Sequence, residues 1–171
     1  NVCVRLRTQA FLDGITPQGR PGLTQAEVLD SLRDLDSPHI AYERGQIDGP
    51  AFYAAQVERL GLRLSYPQWL DGWNAYFEPN RPMEALLARL QGSLRLWTLS
   101  NTNAEHLQHL RLNFRLFDSF AGFTASNLCG ARKPEPAIYR DAGQRLDLPP
   151  NEVLYLDDVE AYVPAGRALG L

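Results

Sequence analysis

The hydrophobic period of this chain changes once, near Gly92, and that change limits the folds open to it. Before it, apolar residues recur at helical spacing. Thr24, with Glu27 three residues on, makes a capping-box pattern for a helix through Ala26, Val28, Leu29 and Leu32. Pro50 starts a run through Phe52, Tyr53, Ala55, Val57 and Leu60 that Gly61 closes. Ser65 opens another through Trp69, Trp73 and Phe77, and Pro82 a fourth through Leu86, Leu87 and Leu90, closed by Gly92. These segments predict a small helical bundle, with Trp69, Trp73 and Phe77 on one helix face as packed core or as a wall on which a sugar stacks. After Gly92, short apolar runs at 94–99, within 119–126 and at 153–156 alternate with helical patterns at 103–112, 134–146 and 159–169. That order predicts an α/β fold, a parallel sheet with right-handed crossovers.

Composition narrows the function classes. The 171 residues suit one domain, or one domain with a modest insertion. With 17 Lys+Arg against 20 Asp+Glu, the charge gives no reason to expect nucleic acid or an anionic membrane as partner. No apolar run approaches the ~18–20 residues of a membrane span. The first residues lack the apolar stretch of a secretion signal, so a cytoplasmic protein, monomer or homodimer, is expected. Cys3 and Cys129 stand in no CxxC pair and are expected to be free thiols.

Ligands of parallel α/β sheets bind beyond the carboxyl ends of the strands. Ser100 directly follows the first strand, Asp157 and Asp158 the third, and Lys133 lies in the loop after the second. Ser100 and Asn101, at a strand end before a helix, make a seat for phosphate, or simply a helix cap. Lys133 precedes Pro134, which favours an extended backbone and lets the ammonium enter the cleft; the alternative is a solvated surface lysine. Adjacent Asp157 and Asp158 point opposite ways along an extended chain. One can bind a hard cation such as Mg²⁺ while the other acts through water, unless both only favour the next helix N-terminus. His106 and His109 share a helix face without a third ligand nearby in sequence, and no P-loop pattern occurs.

Taken together, a strand ending in Ser100, Lys133 before a proline-started helix, and a strand ending in Asp157–Asp158 resemble the second, third and fourth motifs of the haloacid dehalogenase superfamily. Within it, YERGQI (42–47), LSYPQWLDGWNAYF (64–77) and LSNTN (99–103) resemble bacterial sugar-phosphate phosphatases of the glucose-1-phosphate type. The resemblance implies a Rossmann-like core, residues 1–7 and 81–171, with a helical cap inserted after the first strand, residues 8–80. It implies a magnesium-dependent phosphatase acting on a small phosphorylated metabolite through an aspartyl-phosphate. Ser100, Asn101 and Lys133 would hold the phosphoryl group, Asp157 and Asp158 the Mg²⁺, and Tyr42, Glu43 and Arg44 would meet the leaving group.

The superfamily's first motif carries the nucleophilic Asp, and Asn1-Val2 aligns with the tail of that motif. The Asp is therefore expected a few positions ahead of Asn1, and the chain as given is expected to lack the first and last strands and to be inactive alone. Asp13 and Asp30 follow no apolar strand. Tyr162 stands where many relatives carry a polar residue. Two other functions share the scaffold: a metal-independent 2-haloacid dehalogenase, against which the paired acids argue, and an inactive binding protein.

Overall fold

The computed structural model describes residues 2–34 and 36–170. The elements are β1 (Val4–Leu6), α1 (Thr8–Ile15), α2 (Gln25–Arg33), α3 (Pro38–Glu43), α4 (Gly49–Leu60), α5 (Tyr66–Asn74), β2 (Phe77–Pro79), α6 (Arg81–Leu90), β3 (Trp97–Ser100), α7 (Ala104–Asn113), β4 (Gly122–Ala125), α8 (Ser126–Cys129), α9 (Pro136–Leu146) and α10 (Val163–Arg167). β3 and β4 pair in parallel, Trp97 opposite Gly122 and Ser100 opposite Ala125, with α7 in the crossover. This is the α/β arrangement that the change of period predicts. The register places Ser100 and the turn into α8 side by side at one end of the sheet. Gly122 suits its position because a Cβ there would lie 2.3 Å from the Trp97 ring.

Helices α1–α5 bury one aromatic-rich cluster around Phe52, Trp69, Trp73 and Tyr42. Local signals set their ends. Thr24 and Glu27 form the expected capping box, with Thr24 N–H donating to Glu27 Oε2 at 2.9 Å. Gly61 closes α4 in the left-handed conformation that glycine adopts without steric cost. β1 and β2 pair antiparallel, Val4 opposite Pro79, so the two ends of this helical half leave the other half side by side. A second cluster centres on Leu87, Leu110, Phe114 and Leu116, and a third on Ala131, Ile138 and Tyr139. Cys3 and Cys129 are free and half-buried. Among the described residues no helix is long and apolar enough to cross a membrane.

The details differ from expectation in four places. Residues 153–156 do not form a buried strand: no ladder involves them among the described residues, and Leu154 and Leu156 are 83% and 65% exposed. Only Tyr155 packs inward, on the third cluster, because one face of this segment is covered and the other is open. Phe77 is not on the helix of Trp69 and Trp73; α5 stops at Asn74 and Phe77 starts β2. The two tryptophans are core residues, stacked with ring centroids 5.2 Å apart. Finally, α9 begins at Pro136, and the stretch expected as one helix over 159–169 is a short 3₁₀ turn, Glu160–Tyr162, followed by α10.

His106 joins the halves. Its ring stacks on Trp73 at 4.6 Å. Its Nε2 lies 3.1 Å from the Trp73 carbonyl, and its Nδ1 lies 3.1 Å from Asn103 Nδ2. The Asn103 amide is oriented by its oxygen, which accepts from the His106 N–H at 2.9 Å. A carbonyl only accepts and an amide nitrogen only donates, so the ring is neutral with its proton on Nε2. Burial lowers its pKa from the usual 6.5 to about 3. Between those values the unfolded chain binds a proton that the fold excludes. This stabilising contribution is complete above about 6.5 and is lost as the pH falls toward about 3. Urea unfolding should therefore show stability rising with pH across this window, with a smaller slope in His106→Gln. Equal slopes in the two proteins would contradict this role.

Candidate active site

Lys133 sits where the strand ends meet. Its Nζ donates to the Leu99 carbonyl of β3 at 3.1 Å and to Asp157 Oδ2 at 2.6 Å. Both side chains are nearly buried, 10% exposed for Lys133 and 5% for Asp157. The lysine backbone is held as firmly. Asn101 Oδ1 accepts from the Lys133 N–H at 2.7 Å, and Asn101 Nδ2 donates to the Lys133 carbonyl at 3.1 Å. The Tyr162 ring covers the ammonium at 5.0 Å, a cation–π contact, and the Tyr162 carbonyl accepts from the Tyr139 hydroxyl at 2.8 Å. Lys133 is thus not a solvated surface lysine. Asn101 spends its side chain on the lysine loop, and the Tyr162 ring faces the lysine.

Asp157 is ionised by its neighbours. Burial is the largest single influence and raises its pKa, but the Lys133 ammonium, the Tyr155 hydroxyl and the Val159 N–H together outweigh it. The carboxyl is held below its ordinary range. Tyr155 donates to Oδ2, and Val159 N–H donates to Oδ1 at 2.9 Å. Burial, then the hydrogen bond to Asp157, raises the Tyr155 hydroxyl pKa and keeps it a donor. Asp158 lies one residue on and is exposed, as alternation along an extended segment requires. Ser100, half-buried at the end of β3, turns its hydroxyl to the Asn101 carbonyl at 3.3 Å.

The site therefore offers an ammonium and a carboxylate at the end of β3, where the Ser100 hydroxyl also lies, with Asp158 next in the chain. Lys133 and Asp157 neutralise each other, so a phosphoryl group arriving at Lys133 needs further positive charge beside Asp157. Hard carboxylate oxygens suit Mg²⁺, which keeps several waters and needs few protein ligands. Asp157 and Asp158 fit that requirement, although among the described residues no group of three or more His, Cys, Asp or Glu is gathered for a metal.

The residues expected to meet a leaving group are engaged within the protein. Tyr42 is 1% exposed, stacks on Phe52 and donates its hydroxyl to Glu105 of α7. Glu43 contacts Arg132, and Arg44 Nη2 donates to Glu135 Oε1 at 2.8 Å. Sequence reading missed Tyr155 as a partner of Asp157. Its position two residues before Asp157 on an extended segment puts it on the same face, a signal the uniformly apolar run concealed.

The family profile described as haloacid dehalogenase-like hydrolase matches residues 41–170. This chain belongs to that hydrolase family. A curated relative, the sesquiterpene phosphatase astK of Aspergillus oryzae, is 28% identical over 132 residues, 76% of this chain and 67% of that protein. The fold matches a HAD family enzyme of Bacteroides thetaiotaomicron, solved with magnesium and inorganic phosphate, at a TM-score of 0.88 and 23% identity, covering 99% of this chain and 86% of that one. It also matches the L-2-haloacid dehalogenase of Xanthobacter autotrophicus at 0.68 and 24% identity, covering 97% and 70%.

Lys133→Met leaves Asp157 buried without its counter-charge and should cost ~3–5 kcal/mol of stability, most of it recovered in Lys133→Met with Asp157→Asn. Urea unfolding at neutral pH measures both; a loss below ~1 kcal/mol, the ordinary worth of a surface pair, would contradict the buried pair. Tyr155→Phe should raise the Asp157 pKa, read by carbon NMR of the carboxyl. Because the folded pKa is depressed, the stability from this carboxylate is present above its unfolded value and lost as the pH falls through the folded one. The variant should therefore lose it at higher pH than the wild type.

Proposed function

We propose that this chain is the phosphate- and metal-handling part of a magnesium-dependent phosphatase acting on a small phosphomonoester, with sugar phosphates as the first substrate class. The observation that carries the reading is the buried Lys133, pinned at the end of β3 against an ionised Asp157 with Ser100 beside it. Lys133 and the Ser100 hydroxyl would hold the phosphoryl oxygens, with Asn101 contributing its backbone N–H. The nucleophile would be the Asp of the family's first motif, attacking phosphorus in line to form an aspartyl-phosphate that water then hydrolyses. β3 carries a ladder on one edge only among the described residues, and Leu154 and Leu156 lie exposed nearby; both features favour a further strand at this place. Asp157 and Asp158 would hold Mg²⁺, which when bound supplies the positive charge that lets a phosphate dianion approach the Lys133–Asp157 pair. Residues 8–80 would serve as the cap, with α3 bordering the site.

A second substrate class has support of its own. The curated relative acts, by its name, on a sesquiterpene phosphate, so an isoprenoid leaving group belongs in the same screen. The fold is shared with haloacid dehalogenases, but Asp157–Asp158 favour the metal-dependent reaction over them.

The test is phosphate release by the full-length protein from sugar phosphates and isoprenoid phosphates, with Mg²⁺ or with EDTA. Activity should require Mg²⁺. Lys133→Ala and Asp157→Asn should each lower kcat by ~10²–10³ at unchanged protein concentration, the scale of losing a fixed charge from such a site. Ser100→Ala should cost about tenfold, one hydrogen bond's worth. No release from any phosphomonoester would sink this reading. Halide release from 2-haloacids that survives EDTA would replace it with the dehalogenase.

A further inference from the structure

Residues Tyr42–Gly45, at the end of α3, make four consecutive contacts with the other half of the molecule, and each goes to a different partner. Tyr42 donates to Glu105 at the start of α7, which also accepts from Tyr66 at 3.1 Å. Glu43 Oε2 lies 2.6 Å from Arg132 Nε. Arg44 Nη2 lies 2.8 Å from Glu135 Oε1. Gly45, at φ +67°, approaches so closely that a Cβ would lie 2.2 Å from the Asn127 carbonyl oxygen of α8. Only glycine allows both that conformation and that approach.

The two ion pairs are crossed in sign and straddle the lysine. An acid at the end of α3 takes the residue before Lys133, and the base that follows the helix takes the residue two after it. The inner pair is the more buried: Glu43 and Arg132 are 11% and 21% exposed, against 34% and 39% for Arg44 and Glu135. Glu43 Oε2 and Arg132 Nε are buried and make no hydrogen bond of normal geometry, so their contact is one of charge. The outer pair is too exposed to matter much to stability. It does tie Arg44 to the segment that carries Lys133, two residues past the lysine.

We propose that residues 42–45 are a positioning element for Lys133, with Glu43 and Arg44 gripping its loop through Arg132 and Glu135, and not a contact surface for the leaving group. Lys133 is thereby held from two directions: Asn101 grips its backbone from the sheet, and α3 grips its flanks from the helical half. The activity arm of the test rests on the phosphatase reading; the exchange arm does not.

The test compares Arg44→Glu, Glu135→Arg and the double reversal in the full-length protein, measuring kcat and KM with a phosphomonoester, Tm, and amide hydrogen exchange of Lys133. That amide reports the grip directly, since it donates to Asn101. Each single reversal should speed Lys133 exchange and lower kcat by about tenfold, with little change in KM, the scale expected of a small misplacement. The double reversal should restore both to within about threefold, as coupled charges do. If a reversal prevents folding, Arg44→Gln should give the same direction with a smaller change. A rise in KM alone, with exchange unchanged, would mean that Arg44 touches substrate and would overturn the proposal. So would a fall in Tm with neither kcat nor exchange altered, or a double reversal that restores nothing. If the wild type releases no phosphate at all, the phosphatase reading fails, and the exchange data alone decide this proposal.

Discussion

The ion pair between Lys133 and Asp157 is the contact on which the site depends. It joins segments that the chain supplies from far apart: the loop between α8 and α9 and the extended stretch before α10. Through the Leu99 carbonyl it also ties both to the end of β3. A buried pair of this kind persists only when the remaining donors and acceptors are satisfied. Here Tyr155 and Val159 complete the carboxylate, and the Tyr162 ring covers the ammonium. These partners are as much a part of the site as the two charges.

That the end of β3, Lys133 and Asp157 come together was legible because α/β sheets gather their strand ends on one edge, although 153–156 pairs with no strand among the described residues. What held those residues was not legible. That Asn101 would spend its amide on the Lys133 backbone depends on the exact approach of two loops. Tyr155 was hidden inside an apolar run read as fully buried, although alternation put it on the face of Asp157. Leu154 and Leu156 of the same run are exposed and pair with no strand among the described residues. In the helical half, caps and glycines gave the element ends well. The face of Phe77 was misjudged because a helix-like spacing of aromatics continued past the point where the helix stops.

What Tyr42, Glu43 and Arg44 touch within the protein was not legible either. Tyr42 pairs with Glu105 of α7, Glu43 with Arg132, and Arg44 with Glu135. With His106 bridging α5 and α7 in its neutral form, the two halves of the molecule meet through hydrogen bonds and charges as well as apolar contact. Such a seam transmits a change on one side to the geometry of the other, which is how residues outside the reacting centre come to matter for rate.

The most direct test is a crystal structure of the full-length protein soaked with Mg²⁺ and inorganic phosphate. Phosphate should lie within hydrogen-bond distance of both Lys133 Nζ and Ser100 Oγ, with Mg²⁺ on the Asp157–Asp158 side. Phosphate bound elsewhere, or an intact Lys133–Asp157 pair with no anion beside it at saturating phosphate, would contradict the account.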